Sequence, residues 1–85
     1  MLVRGRVQGV GFRWFVREQA TALALSGWVR NRPDGTVEVL AEGTAAALDQ
    51  LANALKSGPR GAHVEAVDSL PAGEPSTVRG FEIVR

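Results

Sequence analysis

Hydrophobic and polar positions change their spacing several times along this chain, and each change marks an element. Leu2 to Val7 alternates weakly, with Leu2, Arg4 and Arg6 on one side and Val3, Gly5 and Val7 on the other. That is the pattern of a short strand, weakened by Gly5. From Phe12 the period becomes helical. Phe12, Val16, Ala20 and Leu23 share a face with Phe15 beside them, while Arg13, Arg17 and Glu18 lie toward another, predicting a helix from Phe12 to Leu23 or Ala24. Ser26-Gly27 then closes the helix and starts a turn.

The next segments read as a hairpin. Trp28-Val29-Arg30-Asn31-Arg32 forms one strand, Pro33-Asp34-Gly35 a tight turn, and Thr36 to Ala41 the returning strand with Val37, Val39 and Ala41 on one face. Gly43-Thr44 opens a second helix with Thr44 as its N-cap, and Leu48, Leu51, Ala52 and Leu55 supply its apolar stripe. Gly58-Pro59 ends it. His63 to Leu70 is a further β segment whose Val64 and Val67 stand three apart, which predicts a bulge or twist. Pro71 to Ser76 is a turn-rich loop, and Arg79 to Val84 a last strand with Phe81 and Ile83 inward. The order β-α-β-β-α-β-β predicts an α+β fold: a ferredoxin-like βαββαβ sandwich, an antiparallel sheet with two helices packed on one face.

Bulk properties narrow the function. The 85 residues make one domain, residues 1–85, with 45% hydrophobic residues and no internal repeat. A chain this short buries only roughly 60–65% of its unfolded surface, so its core is thin. No apolar run is long enough to span a membrane, and no signal-peptide core opens the chain. Cysteine is absent, which excludes disulfides and thiolate chemistry and fits a cytoplasmic location. The net charge of +1 argues against non-specific nucleic-acid binding. That charge is unevenly spread: residues 1–32 carry +5 and residues 33–85 carry −4.

The positive half contains the stretch Gln8-Gly9-Val10-Gly11-Phe12-Arg13. Its glycines allow a sharp turn with exposed N–H groups, the helix start adds more donors and a partial positive charge, and Arg13 adds a planar cation. Together these make an anion site, and phosphate is the obvious anion. Each part has a plainer reading. A first-turn arginine is usually solvated, two glycines are usually a turn, and an asparagine beside Pro-Asp-Gly usually supports that turn. Trp14 and Trp28 read as packing residues, His63 as structural or surface, and Arg30 and Arg32 as solvated strand charges.

Two segments go further. Gly5-Arg6-Val7-Gln8-Gly9-Val10-Gly11-Phe12-Arg13 and Gly27-Trp28-Val29-Arg30-Asn31-Arg32-Pro33-Asp34-Gly35-Thr36-Val37 resemble the paired signature segments of the acylphosphatase family. Gly58-Pro59 and Gly80-Phe81-Glu82-Ile83 also fit, so the resemblance covers nearly the whole chain. It implies metal-independent hydrolysis of the carboxyl-phosphate bond of an acyl phosphate, without cofactor or covalent intermediate. Arg13 would grip the phosphate, Asn31 would orient the attacking water, and Gln8, Gly9, Val10, Gly11 and Phe12 would supply the phosphate-binding loop. The partner expected is a small acyl phosphate, with no nucleic acid or membrane, acting on a monomer. Family members often carry Gly where this chain has Ala24, and an Ala held at positive φ costs on the order of 1 kcal/mol. The competing readings are a small RNA-binding module using the open sheet face, and an accessory domain without catalysis. Few aromatics and the lack of an attached domain weigh against them.

Overall fold

The computed structural model describes residues 1–9, 11–69 and 79–84. Val10 of the glycine loop, the Pro71–Ser76 loop and the terminal Arg85 lie outside the described residues. The elements are β1 (Leu2–Arg6), α1 (Phe12–Ala22), β2 (Ser26–Asn31), β3 (Val37–Glu42), α2 (Ala45–Ser57), β4 (His63–Asp68) and β5 (Phe81–Val84). They form one five-stranded sheet in the order β4-β1-β3-β2-β5. The ferredoxin-like α+β architecture is as expected, with one refinement. β5 runs parallel to β2, so the sheet is mixed, while every other pairing is antiparallel.

One core cluster holds the layers together. Val3 and Val7 from the first strand segment, Val29, Val37, Val39 and Phe81 from the sheet, Phe12, Val16 and Ala20 from α1, and Leu51 and Leu55 from α2 are all buried in it. The strand members are the odd-numbered positions, as a period of two requires when both helices cover the same face. The even positions form the open face. There Arg4 pairs with Asp68 at 2.9 Å and Arg30 with Glu38 at 2.8 Å, and the Arg30 guanidinium lies 5.1 Å from the centre of the Trp28 ring.

Two boundaries differ from expectation, each for a local reason. Ser26 and Gly27 belong to β2, paired with Glu42 and Ala41, and are not a turn. The helix closes earlier, at Leu23-Ala24. The N–H of Leu25 donates to the carbonyl of Ala20 at 2.9 Å and that of Ala24 to Thr21 at 3.0 Å. This pair of bonds is the Schellman closure, and it needs a left-handed residue after the cap. Ala24 fills that position at φ 57, so this chain accepts the strain that glycine would avoid. In β4, the β1 register steps from Arg4↔Ala66 to Gly5↔Val64, leaving Glu65 as the extra residue of a bulge. The bulge is what allows Val64 and Val67 both to pack against the core. Gly5 makes it sterically feasible, since a Cβ there would stand 2.1 Å from the His63 carbonyl oxygen.

Candidate active site

Topology brings the glycine loop and Asn31 to one place. β3 is antiparallel to both β1 and β2, so those two strands run parallel to each other with their C-terminal ends at the same edge. The loop leaving β1 and the last residue of β2 therefore meet. β5, parallel to β2, brings Ile83 to that edge as well. Asn31 shares the parity of Val29, so its side chain faces the helix layer and the start of α1. The result is a pocket of about 230 Å³ lined by Val7, Gly9, Gly11, Phe12, Arg13, Trp14, Asn31 and Ile83.

The backbone at this edge is arranged to leave donors free. Gly9 and Gly11 take φ 79 and φ 73, and Gly11 is the N-cap of α1. A glycine cap has no side chain to accept the first-turn N–H groups, and no acidic residue stands in that turn. The contrast with α2 is direct: there Thr44 accepts from the N–H of Ala47 at 3.1 Å. The start of α1 thus keeps its N–H groups and partial positive charge facing the pocket.

Arg13 stands half-buried on the first turn of α1. The charge asymmetry of the sequence resolves at this point. Arg4, Arg30 and Arg32 each have an acidic neighbour, the last at 3.8 Å from Asp34 and 3.9 Å from Glu38. Among the described residues no carboxylate pairs with Arg6, Arg13 or Arg17. Of these, Arg13 lines the pocket, so its charge is available there. Asn31 contributes a second unsatisfied group, since its Oδ1 is buried without a hydrogen-bond partner among the described residues. An orphaned buried acceptor in a pocket wall marks a place for a bound donor.

The loop residues divide by what each can offer. Gly9 and Gly11 line the pocket with backbone alone. Phe12 turns its ring into the core, so only its backbone can face an anion. The Gln8 side chain is turned away to the hairpin: its Nε2 donates to the carbonyls of Arg32 at 2.7 Å and Thr36 at 2.9 Å. It ties the loop to the turn that follows Asn31. In that turn Asp34 Oδ1 accepts from the Thr36 hydroxyl at 2.6 Å and from the Thr36 N–H at 3.0 Å. These two bonds, the hydroxyl first, hold the Asp34 carboxyl below its ordinary range.

The acylphosphatase family model matches residues 1–83 of the chain. The chain belongs to the acylphosphatase family. Within that family, the acylphosphatase of Koribacter versatilis is 52% identical over 82 residues, spanning 96% of this chain and 74% of the relative. That of Thermus thermophilus is 51% identical over 82 residues, spanning 96% and 92%. The crystal structure of acylphosphatase from Bacillus subtilis matches the fold with a TM-score of 0.92 at 43% identity, covering 99% of this chain and 93% of that one.

Three pocket residues escaped the sequence reading: Val7, read as a strand position, Trp14 and Ile83. Trp14, read as packing, is 59% exposed and stands on the pocket wall. The helical period already carried the signal: Trp14 follows Phe12 by two positions, about 200° around the helix and off the buried stripe. Ile83, expected only to point inward, also lines the pocket, because β5 ends beside β2. No local pattern encodes that. Trp28 lies under Arg30 on the open face, and His63 is exposed, clear of the pocket. Among the described residues no helix is long and apolar enough to cross a membrane, and no cluster of His, Cys, Asp and Glu is suited to a metal ion.

Proposed function

We propose that this protein is a metal-independent acylphosphatase in which Arg13 and the N–H groups of the Gln8–Phe12 loop hold the phosphoryl group and Asn31 orients the attacking water. The observation that carries this reading is that the uncapped start of α1, Arg13 and the unsatisfied Asn31 all line one pocket. The family membership supports the reaction class, and the geometry supports the assignment of roles.

The chemistry suits this set of groups. The leaving group is a carboxylate, which departs without a general acid. The protein has to hold the phosphoryl oxygens, spread their charge and set a water in line. Fixed N–H donors do this with little reorganisation, and Arg13 can bond two phosphoryl oxygens in parallel. The neutral Asn31 amide can accept from the water through Oδ1 without repelling the anion. The water oxygen forms the new bond to phosphorus, the bond from phosphorus to the acyl oxygen breaks, and its electron pair leaves on the carboxylate. The water protons pass to phosphate and solvent. In this reading the working unit is a monomer and the partner a small acyl phosphate.

The test is acid release from a synthetic acyl phosphate in excess chelator by wild type, Arg13→Ala and Asn31→Ala. Wild type turns over, and each variant loses at least about 10²-fold in kcat/KM while keeping its circular dichroism. A folded but inactive wild type would sink the activity. Variants that keep full rate would leave the family standing and remove the two roles.

A further inference from the structure

We infer that Trp14 and Ile83 form an acyl-side wall of the pocket, so that the preferred substrates are acyl phosphates with an aromatic or bulky apolar acyl group. This deepens the proposed function and rests on it. The pocket lining combines polar groups, from Gly9, Gly11, Arg13 and Asn31, with the apolar side chains of Trp14 and Ile83 beside Val7 and Phe12. Its volume of about 230 Å³ has room for roughly eight waters at liquid density, more than the four heavy atoms of a phosphoryl group occupy. The acyl group is the part of the substrate attached to the phosphoryl group, so it is the part that would displace water from the remainder.

Trp14 suits that task. Exposure of a single aromatic is ordinary on a protein surface, so the argument rests on its location. It follows Arg13 in the chain, on the first turn of α1, and 59% of its surface is open. Among the described residues its indole N–H has no hydrogen-bond partner and its ring no aromatic neighbour, which leaves the exposed part of the ring open to a ligand. Beyond Ile83 the surface continues into a shallow cavity lined by Arg17, Phe81, Glu82 and Ile83. Arg17 and Glu82 balance there, leaving no net charge to select a charged acyl tail. Discrimination is left to the indole and the isoleucine, which favour a flat apolar body over a small polar one.

The measurement is kcat/KM for benzoyl phosphate and for acetyl phosphate, with wild type, Trp14→Ala and Trp14→Phe. Wild type favours benzoyl phosphate. Trp14→Ala lowers the benzoyl-to-acetyl ratio of kcat/KM by about tenfold, mainly through KM for benzoyl phosphate, and Trp14→Phe restores most of it. Because Trp14 is exposed, both variants keep the wild-type thermal midpoint. Equal losses on both substrates, or no loss on either, would overturn the wall. A wild type inactive on both substrates overturns the acylphosphatase activity itself and the wall with it, and that failure shows before any variant is compared.

Discussion

The role proposed for Asn31 depends on its being an amide. Among the described residues its buried Oδ1 has no partner, and it lines a pocket beside Arg13, which pairs with no carboxylate there. A carboxylate of the same shape would repel an anionic substrate, so Asn31→Asp is expected to lose at least as much kcat/KM as Asn31→Ala. Steady-state kinetics on matched preparations decide it, and an active Asn31→Asp would mean that the neutrality of the amide is unnecessary. Asp34 acts on stability instead. Its folded-state pKa is depressed, chiefly by the Thr36 hydroxyl and then by the Thr36 N–H. A depressed carboxylate contributes stability above its unfolded pKa and loses it as pH falls through the lower folded value. Asp34→Ala should therefore lower the melting temperature at neutral pH, with the difference from wild type vanishing in strong acid. A variant as destabilised in strong acid as at neutrality would contradict the account.

Among the elements, α1 combines two terminal arrangements. Its N-terminus is left without a side-chain cap, which suits anion binding at some cost to the helix. Its C-terminus is closed by a full Schellman pair, yet with alanine at the left-handed position. Holding an L-residue there costs roughly 1–2 kcal/mol, part of which is returned because alanine has less unfolded-state freedom to lose than glycine. Ala24→Gly is therefore expected to stabilise the protein by up to about 1 kcal/mol. The check is a urea titration in which the midpoint rises and the slope stays constant. The site lies at the opposite end of the helix, so kcat/KM should not change.

For the whole molecule, the thin core sets the limit. Leu51 and Leu55 are the buried residues through which α2 joins a cluster shared with α1 and the sheet. Leu51→Ala removes buried methyl groups from a fully enclosed site and should cost about 3 kcal/mol. That is a large share of the ~5–10 kcal/mol such a domain has in total. Chemical denaturation should show a much lower midpoint with a single cooperative transition. Retention of the wild-type midpoint would mean that α2 contributes little to the core. Because α1 packs in the same cluster, loosening the core also loosens the site, and activity should fall at temperatures where wild type is still fully active.

Much of this was legible in the chain because its determinants are local. The helical stripe of Phe12, Val16 and Ala20, the Thr44 cap, the Pro33-Asp34-Gly35 turn and even the Val64/Val67 bulge follow from spacing and turn chemistry within a few residues. The paired segments around Arg13 and Asn31 were also legible, as was the family that they resemble. Other features needed the third dimension. Gln8 stands in the loop sequence, but only the fold turns its amide onto the Arg32 and Thr36 carbonyls, 24 and 28 positions away. The arginines look alike in sequence, and the strand register decides that Arg4 and Arg30 find acidic partners across the sheet. Ile83 reaches the pocket solely because β5 lies parallel beside β2. The sequence by itself determined the elements and the reactive groups, since those depend on neighbours in the chain. Tertiary structure alone decided which groups meet, because strand order and direction set which ends share an edge.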